Sequence, residues 1–278
     1  MNKSIILVLS SCLSIASLSA KDINITTKDI NKFVKRIDLK KSPIELNNSK
    51  IIEIKHEESL KGWDIVMTSL SLSYKDQSFY APEIIFVKDG LATNNLYDVN
   101  RDINYRNDLK PSVKPNLYDN KHLLYGDKNA KHKILIFADP KGKNTYKDIK
   151  PIFDIAKSKP HKFAVYYYHI INRRLHPASK VLTKILYVLQ KEDKKELFEK
   201  VYTLDIPAKA NDAKQIVDYV NKELDLDIKV SQIESKDVQD GVKDDERVAS
   251  EMLVTGSPSI FIDGKWDKTR DGYKKFLK

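Results

Sequence analysis

The sequence has 278 residues, of which 41% are hydrophobic and 32% are charged, with a formal net charge of +10. This balance is typical of a soluble globular protein with one large or two medium domains. The lysines are spread along the sequence, and no common RNA- or DNA-binding motif is present, which favours a solvated basic surface over a binding patch. We therefore predict no nucleic-acid partner.

The first twenty residues differ from the rest of the chain. One basic residue, an apolar centre and small residues predict a secretory signal peptide over residues 1–20, cleaved after Ala20 or Ser19. The only cysteine, Cys12, follows a lipobox-like Leu-Ser-Ser. Only four apolar residues, 5–8, precede this Leu-Ser-Ser segment, which favours a cleaved leader over a lipid anchor. We expect an exported, periplasmic protein without a thiol and without membrane insertion after cleavage.

Residues 21–100 predict a helix followed by an antiparallel sheet. The helix is indicated by apolar residues at helical spacing from Ile30 to Ile37, with Thr27 as its N-cap. The segments after it are rich in β-branched and aromatic residues and contain the turn signal Asp89-Gly90. Because such a unit is small for an independent core, we expect it to pair with a second copy in a homodimer.

The remainder divides into a linker and an α/β domain. Residues 101–122 are polar, include two prolines and have no clear period, which predicts a linker. Residues 123–278 predict, in order, a strand, a helix, a strand, a helical block, a hairpin and a short helix. This order predicts an α/β thioredoxin-like domain with a helical insertion.

Three segments of the second domain resemble one family. The segment LLYGDKNAKHKILIFADP, residues 123–140, resembles the start of the catalytic domain of DsbC/DsbG-like periplasmic thiol:disulfide interchange proteins. The segment VTGSPSIFIDGKW, residues 254–266, resembles the cis-proline loop of the thioredoxin superfamily, and HPASKVLTKILYVLQ resembles the helical insertion. The resemblance implies an α+β N-terminal dimerisation-type domain and a cis bond before Pro258, with the Ser257 backbone available to an extended peptide.

The sequence departs from this family where the family keeps its two cysteines. Alignment on Asp139-Pro140 places Gly142 and Thr145 at the cysteine positions. Thiol–disulfide exchange needs a thiolate, and a hydroxyl cannot form a mixed disulfide. We therefore predict a degenerate, cysteine-free active site with no catalytic residue, no metal and no cofactor.

We interpret the protein as a chaperone or scaffold that binds unfolded or extended polypeptide. The predicted peptide-binding residues are Lys143, Asn144, Thr255, Ser257 and Pro258. An alternative is a thiol-independent enzyme or a small-molecule or anion-binding protein that uses the helix N-terminus beside the cis-proline. A structural partner in an envelope assembly is a third hypothesis.

The helix N-terminus and its lysines allow two interpretations. Lys141 and Lys143 could flank an anion at the first turn of the helix, or Asn144 or Thr145 could simply be an N-cap with the lysines solvated, which we favour.

Other polar and aromatic groups suggest further surfaces. His169 is followed by Arg173, Arg174 and His176, which predicts a basic loop that could contact a partner. No two histidines have the i,i+4 spacing of a helical metal site. The run of three tyrosines at residues 166–168 predicts sheet packing, with the middle tyrosine on the opposite face from its neighbours.

Overall fold

The computed structural model describes residues 25–56, 60, 62–172 and 175–277. The predicted signal peptide with Cys12, and also Arg173 and Arg174, lie outside the described residues. Within the described ranges, no helix is long and apolar enough to cross a membrane.

The first half of the chain forms a helix and a four-stranded antiparallel sheet, as the sequence predicted. The elements are α1 (Thr27–Ile37), β1 (Glu45–His56), β2 (Asp64–Tyr74), β3 (Gln77–Lys88) and β4 (Leu91–Thr93). The strands lie in sequence order. Asp89 and Gly90 both have positive φ, as a two-residue hairpin turn requires.

The N-cap of α1 is Thr26, so the prediction of Thr27 was wrong. Thr26 and Asp29 form a capping box: the Thr26 hydroxyl accepts from the Asp29 N–H, and the Asp29 carboxylate accepts from the Thr26 N–H. A carboxylate at the third helical position makes this reciprocal pair possible, whereas Thr27 has no such partner.

The segment between the two sheets has little regular secondary structure, but it packs against both sheets. It contains the two-residue strands β5 (Tyr97–Asp98) and β6 (Ile103–Asn104) and two 3₁₀ turns. Tyr105 packs against the core of the first sheet, and Tyr118 packs against the core of the second. The residues that we predicted as a linker therefore contact both sheets.

The second half forms a five-stranded mixed sheet with helices. Its strands are β7 (Leu123–Tyr125), β8 (His132–Ala138), β9 (Phe163–His169), β10 (Ser259–Ile262) and β11 (Lys265–Trp266). Its helices are α2 (Thr145–Ser158), α3 (Ser179–Lys191), α4 (Lys195–Thr203), α5 (Ala213–Leu224), α6 (Val230–Ile233) and α7 (Lys236–Glu251). A final 3₁₀ helix spans Gly272–Phe276.

The strand order of this sheet is β11-β10-β8-β9-β7, and β8 and β9 are its parallel pair. Helix α2 connects these two strands, and α3 to α6 form an insertion before α7. The predicted mixed α/β domain with a helical insertion is thus observed.

The tyrosines of β9 divide between two cores. Tyr167 packs in the core that contains α2 and α3, whereas Tyr166 and Tyr168 pack in the core that contains the end of α7. Alternation along a strand produces this division, as predicted.

Helix α7 contacts both sheets. Near its end, the hydroxyls of Ser250 and Ser69 are 2.7 Å apart, and Lys50 Nζ lies 2.9 Å from Glu251 Oε1. Leu253, just beyond the helix, packs in the core of the first sheet. The chain then continues directly into the loop that precedes β10.

Candidate functional site

The turn at the predicted cysteine positions joins β8 to α2. The Gly142 N–H donates to the Asp139 carbonyl over 3.0 Å, and the Thr145 N–H donates to the Gly142 carbonyl over 3.1 Å. Asn144 is at the N-cap position with a φ of 61°, a left-handed conformation that asparagine tolerates, and its side chain makes no capping bond. Asn144 is therefore the N-cap, one of the two residues that the favoured interpretation named, although its side chain makes no bond to the helix.

Two hydroxyls join this turn to the loop before β10. Ser257 Oγ accepts the Asp139 N–H over 2.8 Å and lies 3.0 Å from Thr145 Oγ1. A Cβ atom on Gly142 would lie only 2.4 Å from Thr145 Oγ1 and 3.0 Å from Ser257 Oγ. The space that a side chain at residue 142 would need is thus already filled by hydroxyls.

The loop itself has the predicted cis bond between Ser257 and Pro258. Among the described residues, neither the N–H nor the C=O of Ser257 makes a backbone hydrogen bond. Thr255 and Gly256, just before it, are exposed. This stretch of backbone is therefore available to a binding partner.

The structure brings only part of the predicted site together. Gly142, Thr145 and Ser257 are in contact, and Pro258 is buried beside them. Lys143 and Asn144 are exposed. They can contact a partner from the solvent side.

Asp139 organises the turn, although the sequence analysis used it only to align the chain. Its buried carboxylate accepts from the backbone N–H groups of Lys141 and Asn172, at 2.8 and 2.7 Å, and from the Ser179 hydroxyl. His176 Nδ1 lies 3.2 Å from the same group. This carboxylate therefore ties the turn to the start of α3.

The position of Lys141 does not support the less favoured alternative, in which Lys141 and Lys143 flank an anion. Lys141 Nζ donates to the Leu204 carbonyl over 3.2 Å, and burial lowers the pKa of Lys141. Only Lys143 is exposed beside the turn. The structure therefore gives no contact that supports an anion site at the start of α2.

A cavity of about 240 Å³ lies next to the Ser257 loop, at the boundary with the first sheet. Thr255, Gly256 and Pro258 line it, together with Trp266 and Lys110. Lys110 Nζ donates to the Leu253 carbonyl and lies 4.9 Å from the centroid of the Trp266 ring. Burial lowers the pKa of Lys110 to about 8.

Arg173 and Arg174, the arginines of the predicted basic loop, lie outside the described residues, so that loop stays a prediction. His169 itself is not on the surface. Its side chain is buried, with Nδ1 2.8 Å from Asp245 Oδ2, and its backbone N–H donates to the same oxygen. His122 Nε2 lies 2.9 Å from the other Asp245 oxygen, and His122 Nδ1 lies 2.8 Å from Asp119. We refer to Asp119, His122, Asp245 and His169 as the buried histidine cluster.

The pKa values of the buried histidine cluster follow from its contacts. Burial would raise the pKa of Asp245, but the hydrogen bonds from both histidines hold it well below its usual range. Burial disfavours a charged His122, but the two carboxylates beside it raise its pKa above the usual value. Burial lowers the pKa of His169. These contacts therefore favour the charged form of His122, between its two carboxylates, and the neutral form of His169.

No known protein family matches the sequence, and no curated protein matches it. Among solved structures, the chain is similar to a thioredoxin-like oxidoreductase from Silicibacter pomeroyi, with 13% identity over 55% of this chain and 88% of that chain, and a TM-score of 0.45. It is also similar to ScsC from Proteus mirabilis, with 17% identity over 58% of this chain and 72% of that chain, and a TM-score of 0.45. BdbD from Bacillus subtilis has 19% identity over 60% of this chain and 94% of that chain, again with a TM-score of 0.45. Likenesses this distant carry no information about the activity of this chain.

Proposed function

We propose that this protein is an exported chaperone or scaffold that binds extended polypeptide at the Ser257 loop, without thiol–disulfide exchange. The observation that carries the proposal is the pair of unpartnered backbone groups of Ser257, next to the exposed backbone of Gly256. An extended peptide can pair with such groups as an added strand. Gly142 and Thr145 supply no thiolate, so binding is the property that this turn can offer.

The surroundings of the loop favour a peptide over a small ion. The cavity of about 240 Å³ beside Thr255 and Pro258 is the right size for one or two peptide side chains and has the Trp266 ring in its wall. Main-chain pairing gives such a complex its affinity, and the pocket for a side chain gives it selectivity.

The proposal can be tested by mixing purified residues 21–278 with an unfolded client protein. The protein should suppress client aggregation and should not reduce insulin or rearrange scrambled disulfides. Gly256→Trp should weaken peptide binding about tenfold, because the new side chain covers the Ser257 backbone. The substitution fits the fold, since a Cβ at Gly256 has no atom within 4 Å.

Asn211→Trp is the matched control, since Asn211 is also exposed but lies in the loop before α5. Binding should be unchanged in this variant. Equal loss in both variants, or isomerase activity of the cysteine-free protein, would contradict the proposal.

A cysteine pair tests whether the scaffold is still suited to redox chemistry. Because an added Cβ at Gly142 approaches Thr145 Oγ1 to 2.4 Å, Gly142→Cys with Thr145→Cys should place the two sulfurs within bonding reach. We expect loss of free thiols on oxidation and a gain of insulin reduction. A pair that stays reduced under oxidising conditions would show that the turn is no longer a redox scaffold.

We also propose a homodimer formed through the first sheet. Among the described strands, β1 lies at the edge of this sheet and pairs with β2 alone, so it presents a long row of backbone groups along twelve residues. Sedimentation of the mature chain at micromolar concentration should give twice the monomer mass. A monomer that still binds peptide would remove the dimer from the proposal and leave the binding site intact.

A further inference from the structure

A second cavity, of about 560 Å³, lies between the end of β9, helix α3 and helix α7. It is far larger than the ~30 Å³ share of one water molecule and falls in the range of small-ligand pockets. The lining residues that matter here are His122, His169, Tyr187, Gln190, Gly241 and Asp244. None of them lines the cavity at the Ser257 loop, so the two cavities are separate.

Two buried polar atoms of this lining have no hydrogen-bond partner among the described residues: His169 Nε2 and Gln190 Oε1. His169 Nδ1 faces the Asp245 carboxylate, so the ring proton belongs on Nδ1 and Nε2 presents a lone pair. The Gln190 amide donates from Nε2 to the Lys121 carbonyl over 3.0 Å, which leaves Oε1 as an acceptor. Buried acceptors without a hydrogen-bond donor are rare because each one is destabilising, so both of these atoms need a donor.

The acidic groups around the cavity are already neutralised. Asp237 pairs with Lys191 at 2.6 Å, and Asp244 pairs with Arg247 at 2.7 Å. His122 is held between its two carboxylates. A cationic ligand would gain no unpaired counter-charge at these carboxylates. Lys121 also lines the cavity, but an anionic ligand would bring acceptors to two lining residues that already present unmet acceptors. A neutral ligand with hydroxyl donors meets both conditions.

One wall of the cavity is aromatic. The Tyr187 ring lies against Gly241, where an added Cβ would approach Tyr187 Oη to 2.1 Å. A glycine at this point of α7 thus allows the ring to take its position. The ring belongs to the same lining as the two acceptor residues, with Lys121 Nζ 5.4 Å from its centroid. An aromatic wall beside acceptors is suited to a ligand with both hydroxyl groups and an apolar side.

We propose that this cavity binds a small neutral polyhydroxyl compound, of the sugar or cyclitol class, whose hydroxyls donate to His169 Nε2 and Gln190 Oε1. The carbon skeleton of the compound packs on the Tyr187 ring. This binding is independent of peptide binding at the Ser257 loop.

The test uses the purified mature chain and three neutral probes, D-glucose, trehalose and myo-inositol. Ligand-observed NMR and calorimetry measure binding, while the ¹⁵N resonance of His169 Nε2 reports a new hydrogen bond at that atom. We expect saturable binding of at least one probe, with a shift of the Nε2 resonance. Gln190→Met, which removes the Oε1 acceptor, should weaken binding about tenfold.

Thr183→Val is the matched control. Thr183 lies on the same helix, and its Oγ1 is also buried and unpartnered among the described residues, but it does not line the cavity. Binding should be unchanged in this variant, and circular dichroism and thermal unfolding check that both variants fold.

Three results would overturn the proposal. The first is an Nε2 resonance that none of the three probes moves, which means that the cavity holds only water. The second is equal binding by Gln190→Met and the unaltered protein, which places the probe elsewhere. The third is tighter binding of spermidine or citrate than of any neutral probe.

Discussion

The turn at Gly142–Thr145 and the buried histidine cluster both lie beside the five-stranded sheet, but different interactions hold them together. The turn is closed by two neutral hydroxyls, with exposed residues and unpartnered backbone beside it. The cluster is buried and held by charge, with Asp245 accepting from His122 and from His169. The turn is thus joined by neutral hydroxyls, whereas the cluster contains a carboxyl and two histidines with shifted pKa values, at positions that no sequence motif indicated. Groups with shifted pKa values can serve stability as well as function, so each of the two regions needs its own test.

The largest expected effect is that of Asp245→Asn. The substituted side chain would carry no charge and would offer one amide oxygen where two carboxylate oxygens accept from the His122 ring and from two N–H groups of His169, which should lower the free energy of unfolding by about 3 to 5 kcal/mol. Urea denaturation measures the change. Asp244→Asn is the control, since Asp244 is exposed and pairs with Arg247 on the surface, and it should lose less than about 1 kcal/mol. Similar losses in the two variants would mean that the cluster does not stabilise the fold.

The same carboxylate predicts a pH dependence below neutrality. The pKa of Asp245 is lower in the folded protein than in the unfolded chain, where it is about 3.9. Its contribution is therefore fully present above about pH 4 and is lost as pH falls through the folded-state pKa. The unfolding free energy of the unaltered protein should fall more steeply below pH 4 than that of Asp245→Asn. Parallel curves would contradict the assignment.

The two histidines act in opposite directions at higher pH. The raised pKa of His122 gives a stabilisation that is complete below about pH 6.5 and is lost as pH rises through the folded-state pKa. The lowered pKa of His169 makes the unfolded chain take up the extra proton below about pH 6.5, so stability falls as pH falls there. Histidine titration followed by NMR should show His122 charged at a pH where His169 is neutral. The reverse order would contradict the charge assignment.

A smaller effect is expected at the turn. Gly142→Ala places a Cβ 2.4 Å from Thr145 Oγ1 and should cost about 1 to 3 kcal/mol of unfolding free energy through overpacking. Thr145→Ala in the same chain should recover part of this loss, because the clashing hydroxyl is then absent. Gly256→Ala is the control, with no atom within 4 Å of the added carbon, and it should change stability by less than about 0.5 kcal/mol. If the double variant lost more stability than the two single variants lost together, this result would contradict a clash between the added Cβ and the Thr145 hydroxyl.

The smallest effect is that of Thr145→Val, which removes the hydroxyl while keeping the shape of the side chain. Ser257 Oγ keeps the Asp139 N–H as its partner, so only one neutral hydrogen bond is lost, worth about 1 kcal/mol. Chemical denaturation measures it. A loss as large as that of Asp245→Asn would remove the difference between the two regions.

The architecture could be predicted because local patterns determine it. The β-branched and aromatic residues of β2 and β3, the Asp89-Gly90 turn and the helical spacing of α1 are all properties of neighbouring residues. The cis bond before Pro258 was also predicted, from its family-like segment. The cap at Thr26 was missed by one residue because the reciprocal bond with Asp29 was not considered.

The buried histidine cluster could not be predicted, because its members are far apart in the chain. Asp245 is 123 residues from His122 and 76 residues from His169. His169 was assigned to a basic surface because it ends a strand close to other basic residues, and Lys141 was expected in solvent. Instead, His169 is buried beside Asp245, and Lys141 donates to the Leu204 carbonyl. A long-range pairing leaves no spacing signal in a single sequence.

The contact between Thr145 and Ser257 has a consequence for the conditions under which the turn operates. A pair of cysteines has an oxidised and a reduced form, and the balance between them depends on the potential of the compartment. Two hydroxyls have only one covalent form. Peptide affinity at this loop should therefore be the same in glutathione buffers of any ratio, which makes the binding surface insensitive to oxidants and reductants.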